Sequence, residues 1–194
     1  MMETESDREL ILQIQQGSLE ALGLLYDRYQ RLVYRTALAI TGSPEAAADL
    51  LQDVFLRLYR YADHFDIDRP LEPWLCRMTT NLSYNWVKSN HRWLHPFEEL
   101  VDRIASLGAR SPQHELEHND EWAAVQKALA SLPLQQRVVV VLYYLNELSL
   151  KEIAGILEIP VGTVKSRLHY GRLALKSKLV RDGEGSFDFN YKGS

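Results

Sequence analysis

The stretch "SLKEIAGILEIPVGTVKSRLHYGRL", Ser149 to Leu173, decides how this chain folds. Ser149 stands three residues before Glu152, the spacing of a capping box that satisfies two amide donors at a helix start. Ile153, Ala154 and Leu157 then fall on one side of the helix that follows. Ala154 is small and lets another helix come close. Glu158-Ile159-Pro160 makes a turn, and Pro160 pre-sets φ for a second helix. Val161, Val164 and Leu168 face back toward the first helix, while Lys165, Ser166, His169 and Arg172 fall on the opposite side. This is the pattern of a helix-turn-helix whose second helix offers a cationic, polar face to the major groove. There arginine pairs bidentately with guanine, and serine or histidine makes single contacts to base or phosphate. The plain alternative is a solvated basic helix. The capped first helix, small residue, proline turn and apolar back face together favour the helix-turn-helix.

The charge distribution agrees with a polyanionic partner. The 194-residue chain has a formal net charge of -4, which alone argues against nucleic acid. Yet residues 159–181 hold six Lys or Arg and no acid, and residues 69–95 hold Arg69, Arg77, Lys88 and Arg92 against Glu72 alone. Between them, residues 96–121 carry seven acids against Arg103 and Arg110. Two basic blocks flanking an acidic middle suit a protein that touches a polyanion at two places.

Outward from the opening motif, nearly every periodic segment predicts helix. Ser43-Pro44-Glu45 is a start signal for a helix over 45–61, with Ala46, Ala47, Leu50, Leu51, Val54, Phe55, Leu58 and Tyr59 at three- and four-residue steps. A helix over 19–40 carries Leu22, Leu25, Tyr26, Tyr29, Leu32, Val33 and Thr36, and Thr41-Gly42 ends it. A shorter amphipathic helix covers 5–16. Another begins near Glu72-Pro73, carries Trp74, Leu75, Met78, Leu82 and Trp86, and ends before Pro96. Periodicity fades from 96 to 115, which predicts a linker. Helices are expected again at 117–130, 134–146, 149–157 and 161–180. Val138 to Val141 has strand propensity, but its place among helices predicts a buried helix. The fold class is therefore all-α, with two small helical domains joined by a flexible linker. The tail from Asp182 onward is expected to lack fixed structure.

The single cysteine, Cys76, excludes an intramolecular disulfide and fits a reducing compartment; it sits among apolar neighbours and reads as a small buried hydrophobe. "MMETESDREL" does not resemble a signal peptide, and no apolar run approaches the roughly 20 residues of a membrane span. A cytoplasmic location is expected. No Gly-rich phosphate loop and no nucleophile elbow is present. His91 and His95, like His114 and His118, are four residues apart, but further ligands are not evident. No enzyme activity, cofactor or metal is expected.

Three longer stretches carry a family resemblance. "LPLQQRVVVVLYYLNELSLKEIAGILEIPVGTVKSRLHYGRLAL" resembles region 4 of the extracytoplasmic-function (group IV) sigma factors, sigma-70 family subunits of bacterial RNA polymerase. "SPEAAADLLQDVFLRLYRYADHF" resembles their regions 2.1–2.2, and "EPWLCRMTTNLSYNWVKSNHR" their regions 2.3–2.4. The resemblance implies a region 2 domain at 5–95, a linker at 96–116 running through the polymerase, a region 4 domain at 117–181 and a tail at 182–194. It implies a promoter-specificity subunit that binds core RNA polymerase through the β′ clamp helices and β flap, and promoter DNA at the −10 and −35 elements. It also implies control by an anti-sigma factor. Asp49, Gln52, Asp53 and Leu56 would contact the clamp helices. Arg77, Asn81, Lys88 and Arg92 would serve the −10 element, with the loop "HFDIDRPL" (His64–Leu71) holding a flipped base; this loop departs from the family's usual acidic or small-residue composition. Thr163, Lys165, Ser166, Arg167, His169, Tyr170 and Arg172 would read the −35 element. A stand-alone repressor or activator using the same helix-turn-helix is the alternative, and it has no need of the 45–93 segment.

Overall fold

The computed structural model describes residues 5–89 and 120–181; the linker, the tail, Arg92 and the four histidines paired above lie outside them. Among the described residues the chain forms eight α-helices: α1 (Asp7–Gln15), α2 (Leu19–Thr41), α3 (Pro44–Tyr61), α4 (Leu71–Ser89), α5 (Asp120–Ala130), α6 (Leu134–Tyr144), α7 (Leu150–Leu157) and α8 (Val161–Arg181). A single 3-10 turn, Ala62–His64, follows α3. There is no strand among them.

The helix boundaries follow from local chemistry. Ser6 and Glu9 form a capping box at α1, Ser18 caps α2 through the Ala21 amide, and Ser43 caps α3 with Pro44 at its first position. Each serine oxygen satisfies an amide with no intrahelical partner. Gly42 ends α2 in the left-handed region at φ 71, a conformation glycine adopts without steric cost. Ser149 and Glu152 form the reciprocal box expected at α7.

Around α2, which is the longest helix, α1, α3 and α4 pack into one core that includes Leu22, Leu25, Tyr34, Leu50, Phe55 and Leu75. Tyr26 meets Phe55 with ring centroids 4.8 Å apart. The second half packs around α6. Val138 to Leu142 are all buried, and a helix covered on every side tolerates β-branched residues because packing outweighs propensity. The helix α8 crosses α6 at Gly171, where a Cβ would come within 2.7 Å of Val140 Cγ2.

The two halves touch. Ala39 and Ile40 at the end of α2, and Cys76 on α4, are buried in the same cluster as Val138–Leu142, Ile153 and Ile156. Asn146 Nδ2 donates to Thr36 Oγ1 at 2.8 Å, with both residues buried. Arg137 Nη1 donates to the Ile40 carbonyl at 2.7 Å, and its Nη2 reaches the Ala130 carbonyl at 2.7 Å. A cation at those carbonyls also complements the negative end of α2. Burial lowers the Arg137 guanidinium from its ordinary range.

Candidate nucleic-acid interface

On α4, Arg77, Asn81, Asn85 and Lys88 follow one another at four-, four- and three-residue steps, and all four are exposed. They make a polar stripe along one side of the helix, opposite the buried Leu75, Thr79 and Leu82. Asn85 belongs to this stripe although it was not among the expected residues; its place four residues after Asn81 is the signal that finds it. Lys88 Nζ lies 5.4 Å from the centre of the Tyr84 ring, which holds the cation on a defined side of the helix. Trp74 and Trp86 are half-buried and pack on the first core.

The segment between α3 and α4 folds on itself. Asp66 accepts from the Asp68 amide at 3.2 Å and pairs with Arg69 at 3.1 Å. Phe65 is buried and sets its ring edge-on against Trp74, with centroids 5.3 Å apart. With Trp74 and Arg77 from α4, this segment walls a cleft of about 450 Å³. Its remaining wall is Glu152, Gly155 and Ile156 of α7. Arg77 Nη2 donates to Glu158 Oε1, the residue that ends α7 in the left-handed conformation at φ 54.

On α8, Lys165, Ser166, His169 and Tyr170 are exposed, while Thr163, Arg167 and Arg172 are half-buried. Val164 and Leu168 are buried beneath them. Ser166 Oγ donates back to the Thr163 carbonyl at 3.0 Å. The His169 and Tyr170 rings meet edge-on at 5.4 Å. Two expectations for the helix-turn-helix core need correction. Val161, at the first turn of α8, is exposed rather than packed back. Ile156, not singled out beforehand, is buried with Ile153, whereas Ala154 and Leu157 are half-buried.

The expected polymerase face also differs from its prediction. Asp49 is exposed and Gln52 half-buried, but Asp53 and Leu56 are only 6% and 2% exposed. Asp53 Oδ1 accepts from Arg57 Nε at 3.0 Å, and Leu56 belongs to the first core. The four residues therefore do not make one open face; the surface they offer is the edge formed by Asp49 and Gln52. The reason is geometric. Residues at three- and four-step spacing span a wide arc of the helix, and α3 is covered over more of that arc than its apolar residues alone indicate.

Cys76 is buried, and burial pushes its thiol up to about 12. No group of three metal-ligating side chains occurs among the described residues. None of their helices is long and apolar enough to cross a membrane.

Comparison with known proteins places these surfaces in a family context. Sigma-70 region 2 matches residues 25–93, and Sigma-70 region 4 matches residues 122–175. The chain is 33% identical over 180 residues to the ECF RNA polymerase sigma factor SigW of Bacillus subtilis, covering 89% of this chain and 96% of the relative. It is 30% identical over 188 residues to the ECF RNA polymerase sigma-E factor of Escherichia coli K12, covering 92% and 97%. Among solved structures, CnrH in complex with the cytosolic domain of CnrY aligns with a TM-score of 0.67 at 26% identity, over 92% of this chain and 99% of that one. RpoE of Bartonella quintana, solved with the anti-sigma factor NepR, shares the fold at a TM-score of 0.61 and 22% identity, over 81% and 95%.

Proposed function

The chain belongs to the sigma-70 family, in its extracytoplasmic-function branch, and from that premise we propose that it binds core RNA polymerase in the cytoplasm and directs it to promoters through two separate DNA contacts. Region 2 occupies 5–95 and region 4 occupies 117–181, with 96–116 as the strap between them. No covalent chemistry is involved. A sigma factor acts by binding, and promoter melting is driven by capturing unpaired bases that the duplex hides.

The observation that carries this reading is the pair of polar, cationic surfaces on different halves of the chain. One is the α4 stripe with the cleft at its head, and the other is the outward face of α8. The cleft joins an aromatic wall, Trp74 and Phe65, to the guanidinium of Arg77, and Asn81 follows Arg77 one turn along the exposed stripe of α4. Such a site stacks a base and hydrogen-bonds its edge. Asn85 and Lys88 continue the track along the strand, and Arg92 is assigned to the same strand by the family resemblance. On α8, Lys165, Ser166, His169 and Tyr170 supply base and phosphate contacts in the major groove, with Thr163, Arg167 and Arg172 flanking them. The edge at Asp49 and Gln52 docks on the arginine-rich clamp helices through charge-assisted bonds. Region 4 takes the β flap. An anti-sigma factor holds the chain inactive; that CnrH, 26% identical, was solved in complex with the cytosolic domain of CnrY supports control by a bound protein.

Run-off transcription with purified core polymerase tests the proposal. Core alone should give no specific product from a genomic promoter library, and core with this chain should give discrete starts. Alanine at Asp49 and Gln52 should weaken co-purification with core by about tenfold, the loss of one or two charge-assisted contacts. A stand-alone regulator would be indifferent to that change.

A further inference from the structure

We propose that the outer face of α8 is a docking site for the chain's own segment 182–194, which seats its aromatic residues on Tyr170 and Leu173 and its carboxylates among the cations around them. DNA enters only as the competitor for that face, and that part rests on the reading above; the contact itself does not.

The helix α8 is apolar on two sides. Val164, Leu168 and Leu175 are buried on one. On the other, Tyr170 and Leu173 are 60% and 54% exposed, and Ala174 beside them is exposed too. A lone exposed apolar residue needs no explanation, but neighbours at a three-residue step make a patch. Duplex DNA does not account for it. A recognition helix reaches base edges with its N-terminal residues, whereas Leu173 stands about three turns past Val161. Leucine also offers a phosphate no hydrogen bond. Around the patch, Lys165, His169 and Lys176 are exposed, and α8 contains no acid of its own. The face therefore suits a segment that is acidic and aromatic at once.

Such a segment follows directly. Residues 182–194, "DGEGSFDFNYKGS", carry Asp182, Glu184 and Asp188 against Lys192 alone, with Phe187, Phe189 and Tyr191 at alternate positions. The segment starts where α8 stops, at Arg181, so the reach required is short. Leu173 lies about 12 Å back along the helix from Arg181, and Lys165 about 24 Å, at ~1.5 Å per residue. The chain from Asp182 to Phe187 spans up to about 20 Å when extended, which brings the phenylalanines within range of Leu173 and Tyr170. Gly183 and Gly185 stand before Phe187, and glycine admits the backbone conformations that a reversal needs. Alternate residues of an extended chain share a side about 7 Å apart, close to the roughly 5–6 Å between helix neighbours one turn apart. A tether this short gives an effective concentration in the mM range, so even a weak contact is occupied within one chain before it forms between two. Occupied in this way, the face is closed to a duplex.

Photo-crosslinking of the full chain, with p-benzoylphenylalanine in place of Phe189, tests the contact without DNA. Irradiation should give cross-links that mass spectrometry maps to residues 165–177, and L173S should lower their yield about fivefold with helical circular dichroism retained. Fluorescence anisotropy of a labelled random-sequence duplex tests the competition. Deleting 183–194 should tighten duplex binding about tenfold, as for a tail whose intrinsic Kd is about one-tenth of its effective concentration. F187S/F189S, which keeps every charge, should tighten it by a similar factor, and L173S should tighten the parent but not the deleted chain. Cross-links that are absent, or that fall outside α8, overturn the proposal. So does a tightening on deletion that F187S/F189S does not reproduce, since that is charge repulsion alone. Cross-links that join two chains and rise with protein concentration give the face to a second copy and overturn the internal contact. Cross-links on α8 with duplex affinity unchanged in every variant overturn the competition with DNA. If all of these behave as expected but core polymerase yields no promoter-dependent transcript, the docking stands and the sigma-factor reading fails.

Discussion

Arg77 and Glu158 meet with side chains 48% and 72% exposed, so their ion pair contributes less than about 1 kcal/mol. E158Q should leave thermal stability nearly unchanged. R77A and N81A should lower promoter-dependent transcription by about tenfold each without shifting the melting transition, since loss of one base contact costs about 1–3 kcal/mol. A tenfold loss accompanied by an equal loss in stability would move these residues from DNA to folding. At Ser149 the relation is reversed and the contribution is to stability. S149A should destabilise the chain by about 1 kcal/mol. The Ser149 hydroxyl and amide hold the Glu152 carboxyl below its ordinary 4.5. A lowered carboxylate stabilises the fold above its unfolded value and loses that contribution as pH falls through its folded value. The S149A penalty should therefore shrink in acid below about pH 4.5, as thermal melts at a series of pH values will show. Cys76 acts at the other end of the scale. Its folded value of about 12 exceeds the ordinary 9.0. Its contribution is complete below pH 9 and declines between pH 9 and 12, as the unfolded thiol ionises first.

At the scale of the helix, most of the architecture was legible because the deciding signals are local. Serine caps, Pro44, Gly42 and the three- and four-residue steps need no knowledge of neighbours, and the observed helices start and stop within a few residues of where those signals place them. The four valines of α6 were legible only by context, since propensity pointed to strand and burial on all sides prevailed. What covers each face was not legible. Asp53 and Leu56 shared a spacing with the exposed Asp49, yet they lie beneath the surface, because periodicity gives the direction of a side chain and not the width of the neighbour over it. Gly171 shows the same limit from the other side. Nothing in its flanking residues marks it as the point where α8 meets Val140. G171A should destabilise the second half by about 1–3 kcal/mol, the usual cost of forcing an extra carbon into a packed contact. A melting transition within error of the parent would mean that α6 yields at that point.

At the scale of the whole molecule, the sequence announced two halves and left their relation open. Ala39, Ile40 and Cys76 have the apolar spacing of an ordinary helix face, and the same spacing serves a core within one half or a seam between two. Thr36 and Asn146 stand 110 residues apart, a separation that no local pattern encodes. The candidate DNA contacts were more legible than the seam, since cations collected against an acidic background stand out in one dimension. Their joint accessibility depends on the three-dimensional arrangement, in which α7 forms one wall of the cleft and the outer face of α8 is exposed. The most direct test of the central claim is promoter-specific transcription reconstituted from core polymerase, this chain and a library of promoter fragments. Discrete transcripts that require the chain, and that fall about tenfold when Arg77 or Asn81 is replaced by alanine, are the expected result. A chain that grips duplex DNA alone and leaves the start sites of core polymerase unchanged would contradict the account.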